Sequence, residues 1–307
     1  MELLDQFSRK INYLRISVTD RCDLRCVYCM KEKMNFLPKK DILTLEEIER
    51  LCDNFIQLGI NKIRLTGGEP LVRKDIIKLI ESINLKKKNS NLNEITLTTN
   101  GSLLTNYAKD LSQNGIKRIN VSLDTINSHK YELITRFGKL KNVLNGIESA
   151  KKNNIAVKIN VVAIKDFNEN ELESILEWAD KNRLDITFIE VMPMEDTDIK
   201  RDLQFFPLDK VFNKLNKKYN FFKIKKNTGG PSVYYKSDKL SINVGFISPI
   251  TNNFCSSCNR VRITSTGKLF MCLGQNEYVD FKDILRNDYS NEYIKEKIRY
   301  ALNIKPE

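Results

Sequence analysis

Residues 44–70 read Thr44-Leu45-Glu46-Glu47-Ile48-Glu49-Arg50-Leu51-Cys52-Asp53-Asn54-Phe55-Ile56-Gln57-Leu58-Gly59-Ile60-Asn61-Lys62-Ile63-Arg64-Leu65-Thr66-Gly67-Gly68-Glu69-Pro70. Thr44 with Glu47 three residues on predicts a capping box. Leu45, Ile48, Cys52 and Phe55 recur at helical spacing, which predicts an amphipathic helix with Cys52 on its apolar face. Gly59 stops it at a position suited to a left-handed cap. Lys62–Thr66 then predicts a short strand, followed by a Gly-Gly-Glu-Pro turn.

The same helix–strand unit extends in both directions. Tyr13–Val18, Glu94–Thr99, Arg118–Leu123, Val157–Ala163 and Ile186–Val191 predict further strands, rich in Ile, Val, Leu and Thr. Between and after them, 75–85, 107–114, 140–152, 169–181 and 208–218 predict helices. Such alternation implies parallel strands joined by crossover helices. Six units are too few for a closed eight-fold barrel. The expected fold class is therefore α/β, a partial (β/α)6 TIM-type barrel over residues 1–218.

After Lys218 the pattern changes. Phe221–Ile224, Val233–Tyr235 and Leu240–Phe246 predict antiparallel strands, divided by Thr228-Gly229-Gly230-Pro231 and Ser237-Asp238 turns. A charged helix follows from about Asp280. Residues 219–307 are expected to form a C-terminal extension packed against one mouth of the barrel.

The chain has 307 residues, 41% hydrophobic and 29% charged, ordinary values for a soluble globular protein. No apolar run is long enough for a membrane span, and residues 1–10 lack the apolar core of a signal peptide. A cytosolic location is expected, where cysteines stay reduced and serve more readily as metal ligands. The net charge of +12 invites a nucleic-acid partner. Yet Lys86-Lys87-Lys88, Lys151-Lys152 and Lys217-Lys218 sit at helix ends, where lysines are simply solvated. No nucleic-acid or membrane partner is expected; an anionic substrate pocket is compatible.

Six of seven cysteines form two groups of three: Cys22, Cys26 and Cys29, then Cys255, Cys258 and Cys272. A structural zinc site wants four ligands, and one histidine, His129, cannot complete two such sites. His129 lies at a polar helix start and reads as a surface residue. A 4Fe-4S cluster takes one Cys per iron, so three cysteines leave one iron open to a small molecule. Two such clusters are expected, the second carried by the extension.

The run Cys22-x-x-x-Cys26-x-x-Cys29, with Tyr28 before its last cysteine, resembles the signature of radical S-adenosylmethionine (SAM) enzymes. Thr66-Gly67-Gly68-Glu69-Pro70 is similar to that superfamily's Gly-Gly-Glu-Pro segment. Further runs resemble one branch of it, the GTP-cyclising enzymes that open molybdenum-cofactor biosynthesis. They are Arg15–Asp20, Ile63–Pro70, Leu97–Gly101, Asn120–Asp124, Phe188–Met192, Val244–Pro249 and Cys255-x-x-Cys258-Asn259-Arg260-x-Arg262, closed by Cys272-Leu273. The resemblance spans about residues 11–275.

The resemblance implies that the first cluster chelates SAM through its amino and carboxylate groups and cleaves it to a 5′-deoxyadenosyl radical. Tyr28, Gly68, Ser122 and Met192 would line the SAM site. The second cluster would take the guanine of GTP, with Arg15, Lys62, Arg64, Thr98, Lys158, Arg260 and Arg262 holding the nucleotide, mainly its triphosphate. Hydrogen removal from the ribose 3′ carbon and attack on guanine C8 would give 3′,8-cyclo-7,8-dihydro-GTP. The implied partners are a one-electron reductant and a downstream cyclic pyranopterin monophosphate synthase; a homodimer is compatible. Arginine's planar fork suits phosphate oxygens, in agreement with these roles.

Two departures stand out. Relatives carry Arg where this chain has Thr187, which removes one expected triphosphate contact. They also extend to a Gly-Gly tail, whereas this chain stops at Lys305-Pro306-Glu307. Two other readings compete: a peptide-maturing radical SAM enzyme with an auxiliary cluster, and a zinc-stabilised nucleic-acid-binding protein. Iron and sulfide of about eight each per chain would separate the clusters from zinc.

Overall fold

The capping box at Thr44 forms as its sequence dictates. The Glu47 amide donates to Thr44 Oγ1 at 3.2 Å and the Thr44 amide to Glu47 Oε2 at 2.7 Å. Helix α1 (Leu45–Gln57) buries Ile48, Leu51, Cys52 and Phe55, and Gly59 follows with φ of +106°. Cys52 is thus a core residue, and His129 is exposed. The computed structural model describes residues 2–192, 204–252, 254–272 and 276–306. Leu273 and Glu307, quoted above, lie outside the described residues.

Strand β1 is Tyr13–Ser17 and β2 is Lys62–Thr66. They are followed by β3 (Glu94–Thr99), β4 (Arg118–Ser122), β5 (Ala156–Ala163) and β6 (Asp185–Glu190). These six pair parallel in chain order. The crossovers run through α1, α2 (Ile76–Leu85), α3 (Leu104–Gln113), α4 (Ser128–Thr135), α5 (Leu140–Lys152) and α6 (Leu172–Lys181). Helix α3 starts a turn earlier than its sequence pattern suggests. Helix α7 (Leu208–Tyr219) follows β6. The expected partial, open α/β barrel is what forms.

Side chains alternate faces along a strand, and here the two faces differ sharply. Leu14, Ile16, Ile63, Leu65, Ile95, Leu97, Ile119, Val121, Ile159 and Ile186 are all essentially buried in one apolar core. Each such side chain is worth about 1.5–3 kcal/mol of burial. The opposite face carries Arg15, Lys62, Arg64, Thr96, Thr98, Asn120, Ser122, Lys158, Asn160 and Thr187, aligned by register. The barrel interior is therefore polar.

The extension does not merely sit on one mouth; it lengthens the sheet from both edges. Strands β7 (Phe222–Ile224), β8 (Val233–Lys236) and β9 (Val244–Ile247) form an antiparallel set, and β9 pairs parallel with β6. Strand β10 (Arg260–Ile263) pairs parallel with β1, then β11 (Lys268–Phe270) and β12 (Tyr278–Asp280) continue antiparallel. The β9 strand starts later than the predicted Leu240. Ser241 instead donates its amide and hydroxyl to Asp180, tying that stretch to the end of α6. Helices α8 (Lys282–Arg286) and α9 (Asn291–Asn303) close the described chain.

The sheet curls until its distant parts meet. Lys62 on β2 donates to the Thr228 carbonyl between β7 and β8. Asn259, just before β10, donates to Asn12 at 2.8 Å and to the Gly229 carbonyl at 3.5 Å. Both arms of the extension thus converge on one mouth.

Candidate active site

Cys22, Cys26 and Cys29 lie in the loop after β1, at the C-terminal mouth of the barrel. The Val27 amide donates to the Ile134 carbonyl at 2.9 Å and the Arg25 amide to Thr135 at 3.1 Å, docking the loop on the end of α4. The Cys29 amide donates to the Cys26 carbonyl at 2.8 Å in a tight turn. Gly67 and Gly68 press their backbone against the start of this loop: Gly68 N donates to Thr19 O at 3.0 Å and Glu69 N to Arg21 O at 2.8 Å. A Cβ on Gly68 would lie 2.3 Å from the Arg21 carbonyl oxygen, so only glycine fits.

Glu69 turns inward. Its carboxylate accepts from the amides of Leu71 (3.0 Å) and Asn100 (2.7 Å) and the Thr99 hydroxyl (2.8 Å). Asn100 in turn donates to Asp23 at 2.7 Å, beside Cys22. The Tyr28 hydroxyl donates to Asp124, which also accepts from the Val162 amide at 2.7 Å. Burial pushes the Asp124 carboxyl up to about 6, against the pull of those two hydrogen bonds. Ser122 ends β4 and Met192 follows β6, so Tyr28, Gly68, Ser122 and Met192 all stand at the C-terminal mouth.

The second cysteine group is at the opposite mouth. Cys258 directly precedes β10, which runs parallel to β1, and Cys272 follows β11, which runs antiparallel. A five-residue strand separates the two mouths by roughly 15 Å. The Cys258 amide donates to the Cys255 carbonyl at 3.0 Å, and Cys258 and Cys272 both act on the charge of Arg262.

Between the mouths the register lays out a cationic row. Arg262 on β10 pairs with Arg15 on β1, which pairs with Arg64 on β2. One step nearer the second cysteines, Arg260 pairs with Tyr13, and Tyr13 with Lys62. Arg64 donates to Thr98 Oγ1 at 2.9 Å and to the Tyr13 hydroxyl. Burial, then the neighbouring Arg64, lowers Arg15 to about 10; burial, Arg15 and Arg260 lower Arg262 to about 9. No carboxylate neutralises these arginines among the described residues. Mutual repulsion of this kind is relieved by a bound polyanion.

The two lysines behave differently. Lys62 pairs with Glu94 at 2.7 Å, and Glu94 pairs with Arg118 at 2.7 Å. Lys158 donates to Tyr234 Oη at 3.1 Å, and burial lowers its pKa. Both line a cavity of about 770 Å³ at the second mouth, where six Lys and Arg face Glu94 and Asp185. The structure thus brings all seven predicted nucleotide contacts to the barrel interior and its second mouth.

Sequence reading passed over several neighbours: Tyr13, Asn120, Asn160 and Tyr234. Alternation of polar residues within the strands was the available signal. Asn120 Oδ1 and Thr187 Oγ1 are buried yet bonded to nothing among the described residues. A Cβ on Gly245 would stand 2.7 Å from Thr187 Oγ1, so the glycine leaves that hydroxyl bare.

All seven cysteines are free. Among the described residues no three Cys, His, Asp or Glu side chains are gathered closely enough to share one ion. A 4Fe-4S cube does not require that, because each thiolate takes its own iron. Burial and the nearby acids push Cys22 up to about 12, and burial and Cys29 raise Cys26 well above its usual value. Burial also pushes Cys258 up, but Lys305 and Arg260 outweigh it and hold the thiol below its usual value. A cationic cluster core removes the penalty on the first group. Both donor sets fit an iron–sulfur cluster with one open iron.

Comparison with known proteins decides the family. The chain is 50% identical over 304 residues to the GTP 3′,8-cyclases of Brucella ovis and Brucella suis, covering 99% of this chain and 88% of theirs. The chain belongs to the GTP 3′,8-cyclase family. The Radical SAM superfamily profile matches residues 16–179 and the Molybdenum Cofactor Synthesis C profile residues 184–307. Among solved structures, Streptococcus suis SuiB bound to S-adenosylmethionine superposes with a TM-score of 0.64 at 18% identity, covering 94% of this chain and 68% of that one. Native anSMEcpe with bound AdoMet gives 0.62 at 15%, covering 92% and 82%. At that identity the likeness concerns fold: the cyclase family member shares the radical SAM barrel and carries its cysteines at both mouths.

Proposed function

We propose that this chain is a GTP 3′,8-cyclase in which SAM occupies the C-terminal mouth and GTP spans the interior to the opposite mouth. The product is 3′,8-cyclo-7,8-dihydro-GTP. The observation that carries this reading is the Arg262–Arg15–Arg64 row, unneutralised by carboxylates among the described residues and set between two cysteine triads. When bound, the clusters supply the electron that cleaves SAM and an open iron that accepts the guanine.

The chain's own residues orient the two substrates. Arg15, Arg64, Arg260 and Arg262 hold the triphosphate with charge-assisted bonds, and Lys158 and Lys62 extend that field toward the second mouth. Thr98, fixed by Arg64, and the Asn120 Oδ1 and Thr187 Oγ1 atoms that have no partner among the described residues face the sugar. Tyr28, Gly68, Ser122 and Met192 enclose SAM, with Tyr28 held by Asp124 and the Gly67-Gly68 backbone set by its close approach to Thr19–Arg21. Thr187 offers a hydroxyl where the resemblance implies an arginine, so this chain holds the triphosphate with one fewer cation.

The working context is the cytosol, with a one-electron reductant and a cyclic pyranopterin monophosphate synthase to consume the product. No helix among the described residues is long and apolar enough to cross a membrane. The test is anaerobic reconstitution followed by incubation with SAM, GTP and dithionite. About eight iron and eight sulfide per chain, with GTP-dependent formation of 5′-deoxyadenosine and a cyclised nucleotide, is the expected result. Colourless protein holding zinc, or a product from a peptide instead of GTP, would overturn the reading.

A further inference from the structure

A lysine near the end of the described chain reaches into the second cysteine group. Lys305 is 2% exposed. Its ammonium donates to the Met271 carbonyl at 2.6 Å and stands 3.7 Å from the Cys258 sulfur. Met271 precedes Cys272, so one ammonium spans the two strand ends that carry two of the three thiols.

The N-terminal segment fixes that lysine in place. Gln6 Nε2 donates to the Lys305 carbonyl at 2.8 Å. Arg9, paired with Asp5 at 2.7 Å, donates to the Cys255 carbonyl at 2.8 Å and to the Pro306 carbonyl. The backbone of the third cysteine and the backbone beside Lys305 therefore share one clamp.

Burying an ammonium costs several kcal/mol unless an anion meets it. No carboxylate pairs with Lys305 among the described residues; its partners are a carbonyl and a thiol. A neutral thiol offsets little of that cost. Cluster-bound thiolates offset it well, and more so as the cluster gains an electron and its charge becomes more negative.

We propose that Lys305 is a positioning residue for the second cluster, a fixed buried cation on the Cys258 sulfur that retains the cluster and raises its reduction potential. The inference rests on the reading that Cys255, Cys258 and Cys272 hold an iron–sulfur cluster.

The test uses the full chain with Cys22, Cys26 and Cys29 replaced by serine, so that the second cluster titrates alone. Iron and sulfide per chain, loss of iron to a chelator, and the midpoint of an EPR-monitored redox titration are read for Lys305, Lys305→Arg and Lys305→Met. Lys305→Met is expected to release iron faster and to shift the reduction equilibrium about tenfold toward the oxidised form, about 59 mV for one electron. Lys305→Arg is expected to stay near the parent. An unchanged midpoint and iron retention in Lys305→Met overturn the inference, as does equal impairment of the Arg and Met variants, which would indicate packing instead of charge. A parent chain that takes up no iron overturns the cluster reading itself, and this inference with it. Should Lys305→Met fail to fold by circular dichroism, Lys305→Gln carries the same comparison.

Discussion

The Asn100 amide donates to the Glu69 carboxylate at 2.7 Å, joining the C-terminal ends of β2 and β3 beneath the first cysteine loop. Three hydrogen bonds reach that carboxylate, yet burial outweighs them and raises its pKa to about 7. The folded value lies above the unfolded one, so the fold favours the protonated form. Stability is lost as pH rises from about 4.5 through about 7, by about 3 kcal/mol. Glu69→Gln lacks this titration. Its urea midpoint relative to the parent should climb between about pH 5 and about pH 8; a constant difference across that range would show the burial argument wrong.

Gly68→Ala should disable the SAM mouth without unfolding the barrel. The added Cβ would sit 2.3 Å from Arg21 O and 2.8 Å from Asp20 O, both backbone atoms that cannot swing away. Overpacking of this kind costs about 1–3 kcal/mol. SAM affinity should fall at least tenfold while iron at Cys255, Cys258 and Cys272 is retained. Equilibrium dialysis with labelled SAM checks it, and parent-like affinity would refute the close-packing account.

The barrel strands were legible because local signals bound them. Lys62–Thr66 and Glu94–Thr99 coincide with their predicted bounds, and Thr44 with Glu47 marked α1 correctly. The cysteine triads were equally plain. What no local pattern carries is a pairing between chain ends: β10 joins β1 only after the sheet has curled. Thus the extension, read as a cap, proved to be sheet at both edges. Lys305 was hidden for a related reason, since a lysine in a charged terminal stretch looks solvated until the N-terminal clamp is seen to bury it.

Arg262→Gln should separate folding from binding. Burial and the neighbouring Arg15 and Arg260 lower Arg262 to about 9, so its charge is unfavourable in the fold throughout neutral pH, relief coming only as pH rises through that value. The ligand-free variant should therefore unfold at higher urea than the parent. Its affinity for GTP or tripolyphosphate should drop about 10–100-fold, the worth of one charge-assisted bond at about 1.5–3 kcal/mol. Lower stability together with unchanged affinity would place the residue outside the anion site.

Glu190→Ala should loosen the loop that leads from the C-terminal mouth to the second cysteines. Glu190 is 1% exposed and accepts from the amides of Leu208 (3.3 Å), Ile250 (3.1 Å) and Thr251 (3.2 Å) and from the Thr251 hydroxyl. It thereby ties β6 to α7 and to the loop that runs on to Cys255. Removing it strands several buried donors, at about 3–5 kcal/mol in all. Thermal unfolding should shift down by several degrees, and chelators should strip iron from the second triad before the first. Equal loss from both triads would contradict a local role.

Thr187→Val tests whether the bare hydroxyl is kept for a ligand. The side chain is fully buried, its Oγ1 has no partner among the described residues, and Gly245 holds the space beside it open. A buried hydroxyl without a hydrogen bond costs about 1–3 kcal/mol, and valine has nearly the same shape. The ligand-free variant should thus gain about 1 kcal/mol in urea unfolding. If nucleotide supplies the missing partner, the variant should bind GTP several-fold more weakly, and the stabilisation that GTP gives the parent should shrink correspondingly. A more stable variant with undiminished GTP affinity would mean that the hydroxyl faces no substrate atom, and the interior wall formed by Asn120 and Thr187 would lose its assigned role.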